Sequence, residues 1–134
     1  IALLLGVLTG RFAATASTGF AMRSAVNHGV RFGVHSDDPI TEVNPLFSAW
    51  CACNRKSGIS GKVYGEDQCL TADEAMRCIT LNAAWLLHLE DRLGSIETGK
   101  WADFTVLAEE VTEANKATMK DIEIIGTVSG GVIQ

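Results

Sequence analysis

The residues best suited to chemistry in this 134-residue sequence are 35–39, which read His-Ser-Asp-Asp-Pro. An ionised aspartate can accept and return a proton, and it can ligate a divalent metal. The apolar stretch just before, from Val30 to Ser36, predicts a buried strand that ends at Asp37. A carboxylate at that end of a strand, followed by a proline that favours a loop, is a common arrangement of catalytic acids in α/β proteins. The alternative is that Asp37 caps a turn at the junction of strand and loop.

Alternation along the strand predicts which side chains share a face. If Asp37 points into the interior of a sheet closed on itself, then His35, Gly33 and Arg31 share its side. The remaining residues then pack outward against helices; these are Val30, Phe32, Val34 and Ser36. His35 is open to two interpretations, a histidine that hydrogen-bonds Asp37 or a substrate oxygen, and a histidine satisfied within the core.

Length, composition and charge limit the classes of function. A chain of this length fits one domain or a piece of a larger one, and 47% hydrophobic residues exclude a disordered chain. The net charge is −5 and no run of lysine or arginine is present. Nucleic acid and anionic membranes are therefore not expected partners, because both favour basic patches.

The first residues admit two interpretations. Residues 1–8 are apolar apart from Gly6, and small residues follow at 13–17. This resembles the core and cleavage region of a signal peptide, but a basic start is missing and eight residues are too few to span a bilayer. We favour a buried strand or helix belonging to a longer chain, with the signal peptide as the alternative.

The four cysteines do not form a recognisable metal or redox motif. No pair among Cys51, Cys53, Cys69 and Cys78 has the two-residue gap of a zinc knuckle or redox site. We therefore expect reduced, partly buried thiols in a cytoplasmic protein. A disulfide or a cysteine-bound metal is the alternative.

Local signals predict helices in the first two thirds of the chain. Asn44 and Pro45 suit the cap and first position of a helix that ends near Arg55. Thr71 and Glu74 have the spacing of a capping box. The predicted helices cover residues 20–28, 45–55, 72–80 and 82–87.

The character of the sequence changes near residue 89. Residues 104–107 and 122–128 are β-type runs, and residues 129–131 predict a hairpin turn into Val132 and Ile133. The chain is therefore expected to divide into an α/β part, 1–89, and a β part, 90–134.

Three motifs, in order, resemble segments of the amidohydrolase superfamily. Residues 35–39 resemble the motif that ends the eighth barrel strand in that family. Residues 80–84, Thr-Leu-Asn-Ala-Ala, resemble a helix start that precedes the C-terminal segment, and residues 94–104 resemble the segment itself. Residues 45–50 and 54–55 resemble the branch that contains N-substituted formamide deformylase.

The resemblance implies an α/β fold: the C-terminal fragment of a TIM-type (β/α)8 barrel, followed by part of a small β-sandwich. It also implies a divalent metal, with zinc the expected ion and Asp37 as both metal ligand and catalytic residue. The family's other ligands include a His-x-His pair. No two of the histidines, His28, His35 and His88, have that spacing, so those ligands are expected on segments preceding this chain.

The implied activity is hydrolysis of an amide-like carbon–nitrogen bond in a small molecule, by a longer enzyme of which this is one part. In that reaction Asp37 takes a proton from the attacking water and returns it to the leaving nitrogen. His35 is a substrate-binding residue in this interpretation, and Asp38 is a loop residue facing solvent. The resemblance is weaker for two other classes of the superfamily, deaminases of nucleobases and hydrolases of cyclic amides.

The expected partners are the missing N-terminal barrel segments and a small-molecule substrate. The isolated chain should bind no catalytic metal and should be sticky or form a homo-oligomer, because a lone barrel strand leaves its backbone edges unpaired. The alternative function is a non-catalytic remnant that acts as a binding or interaction module.

Overall fold

A computed structural model describes residues 20–134 of the chain. The predictions for residues 1–8 and 13–17 lie outside the described residues. Four helices occupy the first part: α1 (Met22–Asn27), α2 (Pro45–Asn54), α3 (Ala72–Ile79) and α4 (Leu81–Leu86). Three strands follow: β1 (Phe104–Leu107), β2 (Ile124–Ser129) and β3 (Val132–Ile133). One-turn 3-10 helices lie at Glu66–Gln68 and Met119–Asp121.

The helix starts predicted from capping residues are confirmed. The Asn44 side chain accepts a hydrogen bond of 3.0 Å from the Phe47 amide, and Pro45 occupies the first turn of α2. Both bonds of the capping box at Thr71 and Glu74 are present at the start of α3. Each cap satisfies amide groups that have no partner within the helix, so the local sequence is sufficient to fix these boundaries.

The hydrophobic core lies between α2 and α3 and is closed by the 3-10 turn at Met119. Ala49 and Ala75 are fully buried, which lets the two helix backbones approach closely. Trp50 lies at the edge of this contact, and its indole Nε1 donates to the Ala117 carbonyl at 2.8 Å. The remaining buried members of the core are Met22, Val34, Leu46, Ala52, Cys53, Leu70, Cys78 and Ile122.

A bidentate ion pair fastens α1 to the start of α3. Arg23 Nη1 and Nη2 donate to the two Glu74 carboxylate oxygens at 2.7 and 2.5 Å. Arg23 also donates to the Cys69 carbonyl through Nε and Nη2. Arg23 therefore joins three stretches of chain, while Glu74 also accepts the capping bond from the Thr71 amide.

The β part forms one antiparallel sheet in the order β1-β2-β3. Phe104 pairs with Val128, and a bulge interrupts the ladder between Val106 and Leu107. The predicted hairpin turn is confirmed at Gly130 and Gly131, both of which have positive φ. The architecture is thus mixed α/β, and within residues 20–134 a single sheet of three strands is present rather than a sandwich.

The C-terminal motif, residues 94–104, contacts both α4 and the sheet. Gly94 has φ +90°, and a Cβ there would lie 2.8 Å from the Leu81 Cα and from the Ala84 Cβ of α4. The Asp103 carboxylate accepts a 2.6 Å bond from the Gly130 amide and so fixes the hairpin turn. The motif therefore joins α4 to the sheet.

The strand predicted from Val30 to Ser36 is absent. This segment has no regular secondary structure and pairs with no other strand among residues 20–134. A β-strand needs a neighbour to accept and donate its backbone hydrogen bonds. An apolar sequence can predict that such a segment is buried, but whether it forms a strand depends on other segments that supply the backbone hydrogen bonds.

No helix among the described residues is long and apolar enough to span a bilayer. Three cysteines, Cys51, Cys53 and Cys78, are buried and Cys69 is half-buried, as the composition predicts for apolar thiols. Burial raises the pKa of Cys51 to about 11 and that of Cys53 to about 12. These thiols are therefore protonated at neutral pH and poorly nucleophilic.

Candidate functional site

The predicted site residue Asp37 is exposed and lies at the start of a tight turn. Its φ is +59°, in the left-handed region that aspartate tolerates better than most residues. The Ile40 amide donates to the Asp37 carbonyl at 2.9 Å and closes the turn. The backbone thus holds Asp37 in an uncommon conformation with its side chain accessible.

The loop that follows Asp37 is anchored at both ends. At its start, the Thr41 hydroxyl donates to the Ser36 carbonyl at 2.5 Å. At its end, Asn44 caps α2, with its carbonyl accepting from the Ser48 amide at 3.1 Å. These anchors restrict the loop even though most of its residues are exposed.

The segment before Asp37 is held by the junction of α3 and α4. The Asn82 side-chain amide donates to the Phe32 carbonyl at 2.9 Å, and the Val34 amide donates to the Cys78 carbonyl at 3.4 Å. Gly33 lies against the same junction, because a Cβ there would be 2.9 Å from the Leu86 Cδ1. Helix ends therefore supply backbone partners that a neighbouring strand would otherwise provide.

The predicted alternation is correct for part of this segment only. Val34 is buried and Phe32 packs on the core, while His35 and Asp37 are exposed. Three residues depart from it. Val30 is 56% exposed, and Gly33 faces α4 rather than the side of Asp37. The guanidinium of Arg31 lies 5.1 Å from the ring centre of Trp85, on the helix side. Without ladder pairing, the two-residue period of a strand is not enforced.

His35 borders a small cavity beside the loop. The cavity has a volume of about 170 Å³. Its lining is mostly apolar and comprises Val34, His35, Ser36, Val43, Asn44, Pro45, Ser48 and Ile79. No hydrogen bond joins the His35 and Asp37 side chains among the residues that the structure describes. The structure brings the two residues to one exposed stretch, and the substrate-binding role of His35 stays a prediction.

A metal at Asp37 would need further donor groups close to that carboxylate. Within residues 20–134, no three side chains of histidine, cysteine, aspartate or glutamate come together to hold a metal ion. Catalytic zinc needs three protein ligands. Asp37 therefore offers a single ligand, and the described residues do not fit a metal centre by themselves. The role of Asp37 as a ligand stays a prediction.

Comparison with known protein families decides the family. The family model described as amidohydrolase family matches residues 5–134. The chain belongs to the amidohydrolase family. The resemblance noted in its motifs is thereby confirmed.

Two curated relatives match this amidohydrolase chain over most of its length, and a third matches about half of it. N-substituted formamide deformylase of Arthrobacter pascens is 31% identical over 86% of the chain and 21% of its own length. YtcJ of Bacillus subtilis, whose name describes it as an amidohydrolase and gives no substrate, is 35% identical over 87% of the chain and 22% of its own length. An imidazolonepropionase of Bacteroides thetaiotaomicron is 36% identical over 48% of the chain and 15% of its own length.

The chain thus spans about a fifth of the length of the first two relatives. No solved structure matches it. The amidohydrolase family has a TIM-barrel-type fold and generally depends on a metal. In this chain the described residues form a three-stranded sheet in the C-terminal part.

Two side chains that hold the segment around Asp37 were not predicted from the sequence. Asn82 lies in the Thr-x-Asn motif, but nothing in that motif indicates its contact with the Phe32 carbonyl, 50 residues away. The Thr41 hydroxyl donates to the Ser36 carbonyl, five residues earlier, which is beyond the three- or four-residue spacing of common local side-chain bonds. The sequence therefore carried no clear signal for this contact.

Proposed function

We propose that this chain provides Asp37 as the proton-transferring carboxylate of an enzyme that hydrolyses an amide-like carbon–nitrogen bond in a small molecule. The observation that supports it best is the exposed Asp37, held in a left-handed conformation by an anchored loop in a chain of the amidohydrolase family. Functional residues are often held in uncommon backbone conformations that their surroundings enforce.

The chemistry suits a carboxylate in this position. Asp37 would accept a proton from water as the water attacks the carbonyl carbon, and would then deliver a proton to the leaving nitrogen. Cleavage of the carbon–nitrogen bond yields a carboxylic acid and an amine, so the carboxylate is regenerated at the end of the cycle. General acid–base catalysis of this kind typically contributes about 10²- to 10⁴-fold to a rate.

The rest of the active site belongs to the same proposal. We infer that, in the whole enzyme, residues 1–89 contribute the last strand and helices of a barrel, and residues 90–134 part of a β-sandwich. Residues 30–36, which have no strand partner within residues 20–134, would form that last strand by pairing with strands from the rest of the enzyme. The remaining barrel strands and the other ligands of a divalent metal, with zinc the expected ion, would come from sequence outside these 134 residues. We also propose that the enzyme acts in the cytoplasm.

The substrate class follows from the named relatives and is proposed here only. One relative is named for N-substituted formamides, and it shares 31% identity over 86% of this chain. N-alkylformamides are therefore the first compounds to test, with formate release as the measurement. An N-alkyl amide of a longer carboxylic acid and an imidazolone are the comparison substrates. The imidazolone is included because the shorter match is to an imidazolonepropionase.

The deciding experiment replaces Asp37 by asparagine in the whole enzyme that contains this chain. We expect Asp37→Asn to lower kcat by about 10³-fold or more, because the amide cannot take up a proton at neutral pH. Asp38→Asn is the matched control: Asp38 is the neighbouring carboxylate, it is exposed, and it lies in the same turn. Asp38→Asn should keep turnover within about threefold of the unaltered enzyme.

Two results would contradict the proposal. Unchanged turnover in Asp37→Asn would remove Asp37 from the reaction. Absence of hydrolysis of all three substrate types by the unaltered, metal-loaded enzyme would instead favour the alternative function, a non-catalytic binding or interaction module.

A further inference from the structure

The two peptide groups on either side of the Asp37 Cα are both held by hydrogen bonds. The Ser36 carbonyl belongs to the peptide group before Asp37, and it accepts from the Thr41 hydroxyl at 2.5 Å. The Asp37 carbonyl belongs to the peptide group after it, and it accepts from the Ile40 amide at 2.9 Å. The orientation of these two groups sets the direction of the Cα–Cβ bond.

The conformation at Asp37 needs such support. A residue with a side chain at φ +59° is less stable than in the right-handed region, by about 1–2 kcal/mol. Such conformations persist where surrounding contacts enforce them. One of the two supporting bonds comes from the backbone amide of Ile40, whereas the other comes from the side chain of Thr41 and can be removed by changing that side chain alone.

We propose that Thr41 is a positioning residue for Asp37, a role that rests on the function proposed above. By holding the Ser36 carbonyl, the Thr41 hydroxyl fixes the peptide group before Asp37 and so directs its carboxylate toward the reacting atoms. Thr41 need not touch the substrate. Its removal should affect the chemical step more than substrate binding.

The expected kinetics follow from this role. In the whole enzyme acting on an N-alkylformamide, Thr41→Val should lower kcat by about 10- to 100-fold, since small displacements of a catalytic group are costly. KM should change by less than about threefold, because binding contacts are unaltered. Thr41→Ser keeps the hydroxyl and should restore kcat to within about threefold of the unaltered enzyme.

A matched control separates position from the general loss of a hydroxyl. Thr118 also donates from its hydroxyl to a backbone carbonyl, that of Asn115 at 3.2 Å, within a separate loop. Thr118→Val should leave kcat unchanged. If Thr41→Val does not fold, as judged by its thermal melting, Thr41→Ala provides the variant without a hydroxyl and with a smaller side chain.

The double variant Asp37→Asn/Thr41→Val shows whether Thr41 acts through Asp37. The residual rate of Asp37→Asn should not fall further when Thr41 is also replaced, whereas a general structural defect would lower it again. Full kcat in Thr41→Val, beside an inactive Asp37→Asn, would overturn the role of Thr41 alone. Full turnover in Asp37→Asn would overturn the proposed function and the role of Thr41 with it.

Discussion

The ion pair between Arg23 and Glu74 allows a quantitative test of the fold. Hydrogen bonds from Arg23 lower the pKa of Glu74 from its ordinary value of 4.5 to about 2, and bonds from Thr71 add to this effect. Since one pKa unit corresponds to about 1.4 kcal/mol, this shift sets an upper limit of about 3 kcal/mol on the stabilisation. A quarter of each side chain is exposed, so water screens part of the interaction and we expect about 1–2 kcal/mol.

The informative substitution is Glu74→Gln. Glutamine at this position can still form the capping box with Thr71, so the change removes the charge and largely keeps the cap. Urea unfolding followed by circular dichroism at neutral pH should show a loss of about 1–2 kcal/mol, for the reason given above. Asp73→Asn is the control, because Asp73 pairs with Arg77 where both side chains are more than half exposed; its unfolding should not differ measurably from that of the unaltered chain.

The pH dependence gives the sign of the effect. Because the folded pKa of Glu74 is depressed, its stabilisation is complete above the unfolded pKa of about 4.5. It is lost as the pH falls through the folded pKa of about 2. The difference between the unaltered chain and Glu74→Gln should therefore be constant from neutral pH to about pH 5 and shrink below that. A difference that stays the same at pH 3, or that is absent at neutral pH, would refute the assignment.

Two further predictions concern the packing of the chain. Gly94→Ala should destabilise the fold by about 3 kcal/mol in urea unfolding, since residue 94 has a positive φ and the new methyl group would clash with the backbone of α4. Gly99→Ala, also at positive φ but with open space around it, should cost only about 1 kcal/mol. Equal losses of stability in the two variants would count against the packing argument. A thiol reagent at pH 8 should modify the half-buried Cys69 first and should reach the buried Cys51 and Cys53 only on unfolding. Burial raises the pKa of all three thiols, so the access of the reagent sets the order. Modification of the buried pair at the rate of Cys69 would contradict this.

Local signals in the sequence were sufficient for most of the secondary structure. The caps at Asn44 and Thr71 need only residues within four positions, and the hairpin turn at 129–131 needs only its glycines. These features are confirmed because the interactions that produce them are local.

Features that depend on distant residues could not be predicted. Arg55 is 1% exposed, and it caps the end of α2 in a left-handed conformation. It donates to the carbonyls of Tyr64 and Phe20, the second of which lies 35 residues away. Nothing in the sequence near Arg55 indicates that a charged side chain would be buried there. The strand predicted at 30–36 is absent for the same reason, since its backbone hydrogen bonds would depend on residues far along the chain.

Asn82 and Cys78 hold the segment before Asp37, so α3 and α4 act as a template for its position. Helices form from near neighbours in sequence, whereas this segment finds its place only after those helix ends exist. We therefore expect α3 and α4 to assemble early and the Asp37 segment to dock late. A substitution of Asn82 would then misplace the carboxylate of Asp37, about 45 positions earlier in the chain, while the helices themselves stay intact.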